Sequence, residues 1–252
     1  MAFDVAADAY DRFMGRYSRP LAPELADFAG IAAGQRVLDV GCGTGALTAE
    51  LVRRVGEASV AAVDPSGSFV KATGERFPGA EVRQASAERL PFPSERFDAA
   101  VAQLVVHFMA NPVGGIAEMS RVTGADGVVA ACVWDHAGEH GPLATFWAAA
   151  RELQPGVRDE SMLPGVREGH LAELFEAAGL RDVESSALTV TVEHPTFDEW
   201  WQPFTAAVGP AGAFVGSLEP TVRERLRSRC LERLGSGPFA VTALAWAARG
   251  RA

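Results

Sequence analysis

The chain alternates short β-branched apolar runs with stretches whose apolar residues recur every three or four positions. Arg36–Val40 (RVLDV) reads as a buried strand that runs straight into a glycine cluster, Gly41–Gly45. Ala46–Val55 follows as a helix, with Leu47, Leu51 and Val55 on one face. Ser59–Val63 is a second strand closed by Asp64-Pro65, Ser66–Arg76 a helix with Ser66 as its candidate cap, and Glu81–Gln84 a third strand. Phe97–Val106 is apolar nearly throughout, as a strand covered on both faces must be. Val113–Val122 is helical and Gly127–Trp134 is a fifth strand. Such alternation predicts an α/β, doubly wound, mostly parallel sheet with helices on both faces.

After Trp134 the rhythm breaks. Residues 136–168 hold several Gly and Pro with one amphipathic helix, Leu143–Leu153. His170–Ala178 is a helix stopped by Gly179, and Asp182–His194 alternates as a strand. Residues 195–236 form a second interruption, with Trp200, Trp201, Phe204 and Phe214 and an Arg-rich helix, Thr221–Leu234; Phe239–Ala247 closes as the seventh strand. One domain over residues 1–252 is expected, with the two interruptions as insertions forming a lid. The aromatic residues of the insertions, with Trp134, Phe146 and Trp147, read equally as core, and Trp147 and Trp200 favour core.

Composition narrows the partners. With 23 basic and 32 acidic residues the net charge is −9, and Lys71 is the only lysine. No basic stripe stands out, which argues against nucleic acid. The three cysteines, Cys42, Cys132 and Cys230, form no CxxC pair, so neither a zinc framework nor disulfides are predicted. The N-terminus shows no apolar signal core, and stretches such as Ala99–Val106 fall far short of the ~20 residues a membrane span needs. A reduced, cytoplasmic, non-membrane protein is expected; nothing in the sequence speaks to its oligomeric state.

The glycine cluster carries the chemistry. Three glycines in five positions between a strand and a helix let a ligand approach bare backbone beside a helix N-terminus; a plain tight turn is the simpler reading. Asp64, which ends the next strand, is placed to bind ribose hydroxyls, although a lone acid there is usually a cap. Together they point to a nucleoside-bearing cofactor. Gly41-x-Gly43-x-x-Ala46 also fits a dinucleotide fingerprint, so NAD must be weighed. Against NAD stand the missing Tyr-x-x-x-Lys pair, the carboxylate of Asp39 just before the glycines, and no evident hydride-transfer residues.

Val37–Gly45 (VLDVGCGTG) resembles motif I of class I S-adenosylmethionine-dependent methyltransferases. The similarity continues through Val63–Ser66 (VDPS), Ala85–Asp98 (ASAERLPFPSERFD), Val101–Pro112 and Ile116–Thr123 (IAEMSRVT), in the order found in small-molecule methyltransferases similar to those of ubiquinone and menaquinone biosynthesis. The resemblance implies a Rossmann-like sheet of seven strands, S-adenosyl-L-methionine as cofactor, residues 31–135 as the cofactor-binding core and residues 1–30 as covering helices. It implies that Asp39 and the Gly41, Cys42, Gly43 and Gly45 loop hold the methionine end. It puts Asp64 on the ribose, Pro65 near the adenine, Ser86, Ala87 and Glu88 at the adenine edge, and Gln103 near the sulfonium. Ser86 departs from the family's frequent aspartate, and Arg121–Gly127 (RVTGADG) from its Pro-Gly-Gly turn. Tyr10–Ser18 resembles the helix that folds over the cofactor, which makes Tyr10, Arg16 and Tyr17 candidates for closing the site; a surface helix fits them equally.

The expected reaction is metal-independent methyl transfer to a small, partly apolar molecule, driven mainly by holding the nucleophile in line. A cofactor-binding protein without transfer activity is the alternative, and an NAD oxidoreductase a weaker one. His107 is the candidate general base, against the reading of a histidine packed under the sheet. His136 and His140, with Asp135 beside them, stand at the lip of the expected site and read as well as a polar loop. The fourth strand ends Ala-Gln-Leu, without the carboxylates of catechol-type metal sites, so no metal is expected.

Overall fold

The computed structural model describes residues 10–252, so the expectation for the first nine residues lies outside the described residues. Seven strands form one sheet in the order β3-β2-β1-β4-β5-β7-β6. They are β1 (Val37–Val40), β2 (Val60–Asp64), β3 (Glu81–Gln84), β4 (Phe97–Gln103), β5 (Thr123–Trp134), β6 (Arg181–His194) and β7 (Phe239–Arg251). β1 pairs in parallel with β2 and β4, β2 with β3, and β4 with β5, whereas β7 is antiparallel to both β5 and β6. The order reverses between β1 and β4, which makes the carboxyl ends of those two strands the crevice where doubly wound sheets bind ligands.

The helices are α1 (Arg16–Phe28), α2 (Ala46–Val55), α3 (Gly67–Arg76), α4 (Pro112–Val122), α5 (Ala144–Leu153), α6 (His170–Ala177), α7 (Phe197–Trp201), α8 (Gly209–Ser217) and α9 (Pro220–Leu234), with a π-type turn over Asp11–Gly15 leading into α1. Successive strand residues face opposite layers. Leu38, Val40, Ala100 and Ala102 pack with Ile116 and Met119 of α4 and Phe175 of α6. Val37, Ala99 and Val101 pack with Leu21 and Leu25 of α1 and Leu47 and Leu51 of α2.

Two strand limits differ from the pattern in the sequence. β4 stops at Gln103 rather than Val106, because Leu104 adopts φ +62° and Val106–Phe108 form a short 3₁₀ turn. That turn folds the chain back over the glycine loop. β5 begins at Thr123 rather than Gly127, its first residues pairing beside Phe97 across an irregular register. Ser66 stands at the N-terminus of α3 without capping it; its hydroxyl pairs with Ser68.

The two insertions pack on each other. Phe146, Trp147, Phe197, Trp200, Trp201, Phe204, Leu226 and Cys230 form a third buried cluster that also takes in Phe13. Phe146 stacks on Phe204 with ring centroids 4.5 Å apart. Most of the aromatic residues are therefore core of this small unit, including Trp147 and Trp200. No helix among the described residues is long and apolar enough to cross a membrane.

Candidate active site

Gly41, Gly43 and Gly45 all take positive φ, at +76°, +53° and +87°. At Gly41 the backbone runs so close to the turn after β4 that a Cβ would sit 2.4 Å from Val105 Cγ2. Among the described residues a Cβ on Gly43 would meet nothing nearer than Tyr10 Cε1 at 4.0 Å, so these residues leave room beside the peptide. The loop is tied to the end of β2. Gly41 and Cys42 donate their N–H groups to Val63 O at 2.7 and 2.9 Å, and Gly43 N donates to Asp64 Oδ2 at 3.0 Å. The other Asp64 oxygen accepts from Ser66 N at 2.8 Å, so one carboxylate joins the first and second βα loops. Burial raises the Asp64 pKa against the lowering effect of those two N–H bonds.

Asp39 lies buried beneath this loop. The Thr48 hydroxyl donates to its Oδ2 at 2.6 Å, while Oδ1 has no partner among the described residues. Burial pushes its carboxyl up to about 7. A buried carboxylate oxygen without a donor costs about 1–3 kcal/mol, a cost an incoming cationic donor would remove. Gln103, at the end of β4, is similar: its Nε2 donates to Ser18 O at 2.9 Å and its Oε1 is buried without a partner among the described residues. Two orphan acceptors beside a loop open at Gly43 suit a ligand that carries an ammonium group.

The N-terminal segment covers the loop. Tyr10 lies against Phe69 with ring centroids 5.4 Å apart, Thr44 donates its hydroxyl to Asp11, and Arg19 pairs with Asp11 at 2.7 Å. Tyr17, a candidate for closing the site, faces elsewhere. Its hydroxyl lies 2.8 Å from His194 Nε2, and Arg16 donates to His194 Nδ1 at 3.0 Å. Residues seven apart would share a face of a regular α-helix, but the π-type turn over Asp11–Gly15 lies between Tyr10 and Tyr17; Arg16 and Tyr17 meet His194 of β6, and Tyr10 borders the glycine loop.

Downstream, the structure separates residues that the motif groups together. Ala87 is buried in the core, and Glu88 Oε1 accepts from Ala110 N at 2.9 Å, which fixes the loop before α4. Ser86 and Pro65 are exposed near the ends of β3 and β2. Cys42, within the loop, is buried, and burial raises its thiol pKa well above the usual thiol value.

A small, partly open cavity lies under the insertions, lined by Tyr10, Leu104, Phe108, Trp134, Leu143 and Val208 among others. Tyr10 belongs to its wall and to the glycine loop, so the two regions adjoin. His107 also lines the cavity; it is buried, its Nδ1 has no partner among the described residues, and burial holds its pKa well below the usual imidazole value. His136 and Glu160 share this wall. Burial pulls His136 down to about 4 and pushes Glu160 up to about 7. Glu160 gives no signal in the sequence, being a lone acid in a Gly/Pro-rich stretch. His140 stands apart, exposed and paired with Asp135 at 2.7 Å.

Residues 38–131 match the family described as Methyltransferase domain. That segment is a methyltransferase domain. The matched segment runs from β1 to β5 and contains the glycine loop, Asp39, Asp64, Gln103 and His107, whereas Tyr10, His136 and Glu160 lie outside it. Over 152 residues the chain is 34% identical to 2-methyl-6-phytyl-1,4-hydroquinone methyltransferase 2, chloroplastic, of Oryza sativa subsp. japonica, covering 59% of this chain and 40% of that protein. Over 194 residues it is 30% identical to the erythromycin 3''-O-methyltransferase of Saccharopolyspora erythraea, covering 73% of this chain and 62% of that one. The chain spans less than half the length of the first curated relatives it matches. Among solved structures, the geranyl diphosphate C-methyltransferase of Streptomyces coelicolor, in complex with Mg2+, geranyl diphosphate and S-adenosyl-L-homocysteine, shares the fold. The TM-score is 0.55 at 14% identity, over 92% of this chain and 78% of that one. The methyltransferase core is thus continuous in sequence, and the cavity beside it is roofed by insertions that lie outside the matched segment.

Proposed function

We propose that this protein transfers a methyl group from S-adenosyl-L-methionine to a small, partly apolar molecule bound in the cavity between the glycine loop and the insertions. The observation that carries this reading is the pair of buried acceptors, Asp39 Oδ1 and Gln103 Oε1, that find no partner among the described residues, beside a loop where those residues leave room at Gly43. Asp39 and the Gly41–Gly45 backbone would hold the amino-acid end of the cofactor, and Asp64 its ribose. Ser86 and Pro65 would lie toward the adenine. When bound, the cofactor supplies an electrophilic methyl on a sulfonium, whose leaving group needs no assistance.

The chain's own contribution is position and exclusion of water. Leu104, Phe108, Trp134 and Leu143 give the acceptor apolar walls, and Val208–Ala211 roof it as a lid. His107, held neutral by burial, stands on the cavity wall as the candidate base for an acceptor that arrives protonated. The apolar lining and the net charge of −9 support a small molecule and not nucleic acid as partner. Three buried free cysteines support a reducing, cytoplasmic setting. The test is methyl transfer from labelled cofactor to a panel of phenols, quinols and hydroxylated macrocycles, read as S-adenosylhomocysteine formed per acceptor. Turnover with at least one acceptor that stops in Asp39→Ala supports the reading; cofactor binding without turnover across the panel favours the binding-only alternative.

A further inference from the structure

We propose that His107, His136 and Glu160 form a site for one first-row divalent cation of the zinc type on the cavity wall. The three residues come from separate segments: the turn after β4, the residue pair after β5, and the stretch between α5 and α6. Each offers one ligand atom, and the three atoms lie within 4.8 Å of one another. Ligands bonded to a tetrahedral zinc ion lie about 3.3 Å apart, so binding needs side-chain shifts of about an ångström or so. His136 Nε2 and Glu160 Oε1, at 4.0 Å, are already close to that spacing. Two imidazoles and a carboxylate suit zinc and its neighbours; magnesium and calcium prefer all-oxygen shells.

Three further observations point to a ligand. His107 Nδ1 is buried and has no partner among the described residues, in a side chain that the proposed cofactor site does not require. Glu160 is 5% exposed, yet among the described residues no Arg or Lys pairs with it. Its second oxygen is fixed by Trp147 Nε1 at 3.0 Å, the kind of outer hydrogen bond that orients a ligating carboxylate. All three residues also line one cavity, so a three-ligand ion keeps an open position facing the bound molecule.

The site replaces the expectation of no metal, which rested only on the Ala-Gln-Leu end of β4. Given the methyl-transfer reading, the open position would take an oxygen of the acceptor and favour its deprotonated form, the proton leaving to solvent; the ion then takes over the role of base proposed above for His107, whose lone pair it occupies. The binding site itself stands independently of that reading.

The test uses tag-free, chelator-treated full-length protein titrated with Co²⁺ and followed by visible absorption, with bound Zn²⁺ counted after dialysis. The expected result is one ion per chain with the intense visible bands of four- or five-coordinate cobalt. Binding should be lost in Glu160→Gln and in His136→Ala, and weakened about 10–100-fold in Trp147→Phe, which removes only the outer hydrogen bond. Absence of stoichiometric binding by the wild type overturns the site without recourse to any variant. Unchanged affinity in a Glu160→Gln protein that unfolds at the wild-type urea concentration overturns it too. Calorimetry with S-adenosylhomocysteine on the same samples separates the two readings. Cobalt binding without nucleoside binding upholds the metal site and sinks methyl transfer; the converse overturns the metal site alone.

Discussion

The Thr48 hydroxyl lies 2.6 Å from Asp39 Oδ2 and leaves Oδ1 of the same carboxylate without a donor among the described residues. This half-satisfied, buried acid is the most demanding group of the cleft. Folding raises its carboxyl from the ordinary 3.8 to about 7, so the folded chain binds more protons than the unfolded chain between those values. Stability from this group is present below about pH 4 and is lost as the pH rises through about 7. Urea unfolding across that window is expected to show a steeper decline for wild type than for Asp39→Asn, which carries no titrating proton. Parallel curves for the two proteins would contradict the assignment.

The glycine loop makes a contrast between neighbours. Gly41→Ala meets Val105 side-chain carbons at 2.4 and 2.7 Å as well as a positive φ, whereas among the described residues Gly43→Ala meets only the strained φ. A left-handed alanine costs about 1–2 kcal/mol. Gly43→Ala is expected to lose about that much stability and Gly41→Ala clearly more. Val105→Ala should recover part of the Gly41→Ala loss in a double-mutant cycle. Strict additivity of the two changes would show that the close approach is not what Gly41 serves.

At the junction of α1 with β6, Arg16 can only donate, so His194 Nδ1 accepts and Nε2 carries the proton toward the Tyr17 hydroxyl. Burial, aided by Arg16, pulls His194 down to about 4. The unfolded histidine takes up its proton near 6.5, so this contribution is present above about pH 6.5 and is lost as the pH falls through about 4. His194→Phe should flatten stability against pH in that window and cost about 1–3 kcal/mol at neutral pH by stranding the Tyr17 hydroxyl. Chemical denaturation at several pH values measures both.

Within the insertions, Phe146 is fully buried and stacks on Phe204. If this cluster is a cooperative part of the fold, Phe146→Ala costs about 3–5 kcal/mol in equilibrium unfolding. A loss below about 1 kcal/mol would mark the insertions as a loosely attached cover.

Much of this architecture is legible in the chain. β1, β2 and β4 stand out as apolar runs because parallel strands buried on both faces need apolar residues at every position, β6 shows instead the alternation of a half-exposed antiparallel strand, and the glycine cluster with Asp64 marks the crevice because that turn must hold three positive φ angles. What escapes the pattern has physical reasons. The Phe97–Val106 run stays apolar past the true end of β4, so only the backbone reversal at Leu104 stops the strand. Tyr10 and Tyr17 both belong to a helical N-terminal stretch, and which one reaches the glycine loop depends on how α1 docks. The approach of Glu160 to His107 and His136 is a long-range contact with no local signature.

Whether Asp39, the glycine loop and Asp64 hold an S-adenosyl nucleoside is decided by calorimetric titration of S-adenosylhomocysteine and of NAD into wild type and Asp64→Ala. The expected result is micromolar binding of S-adenosylhomocysteine, no preference for NAD, and a loss of about 1–3 kcal/mol in the variant, the scale of a lost charge-assisted hydrogen bond. No binding by wild type, a preference for NAD, or equal affinity in Asp64→Ala would contradict this assignment of the cleft.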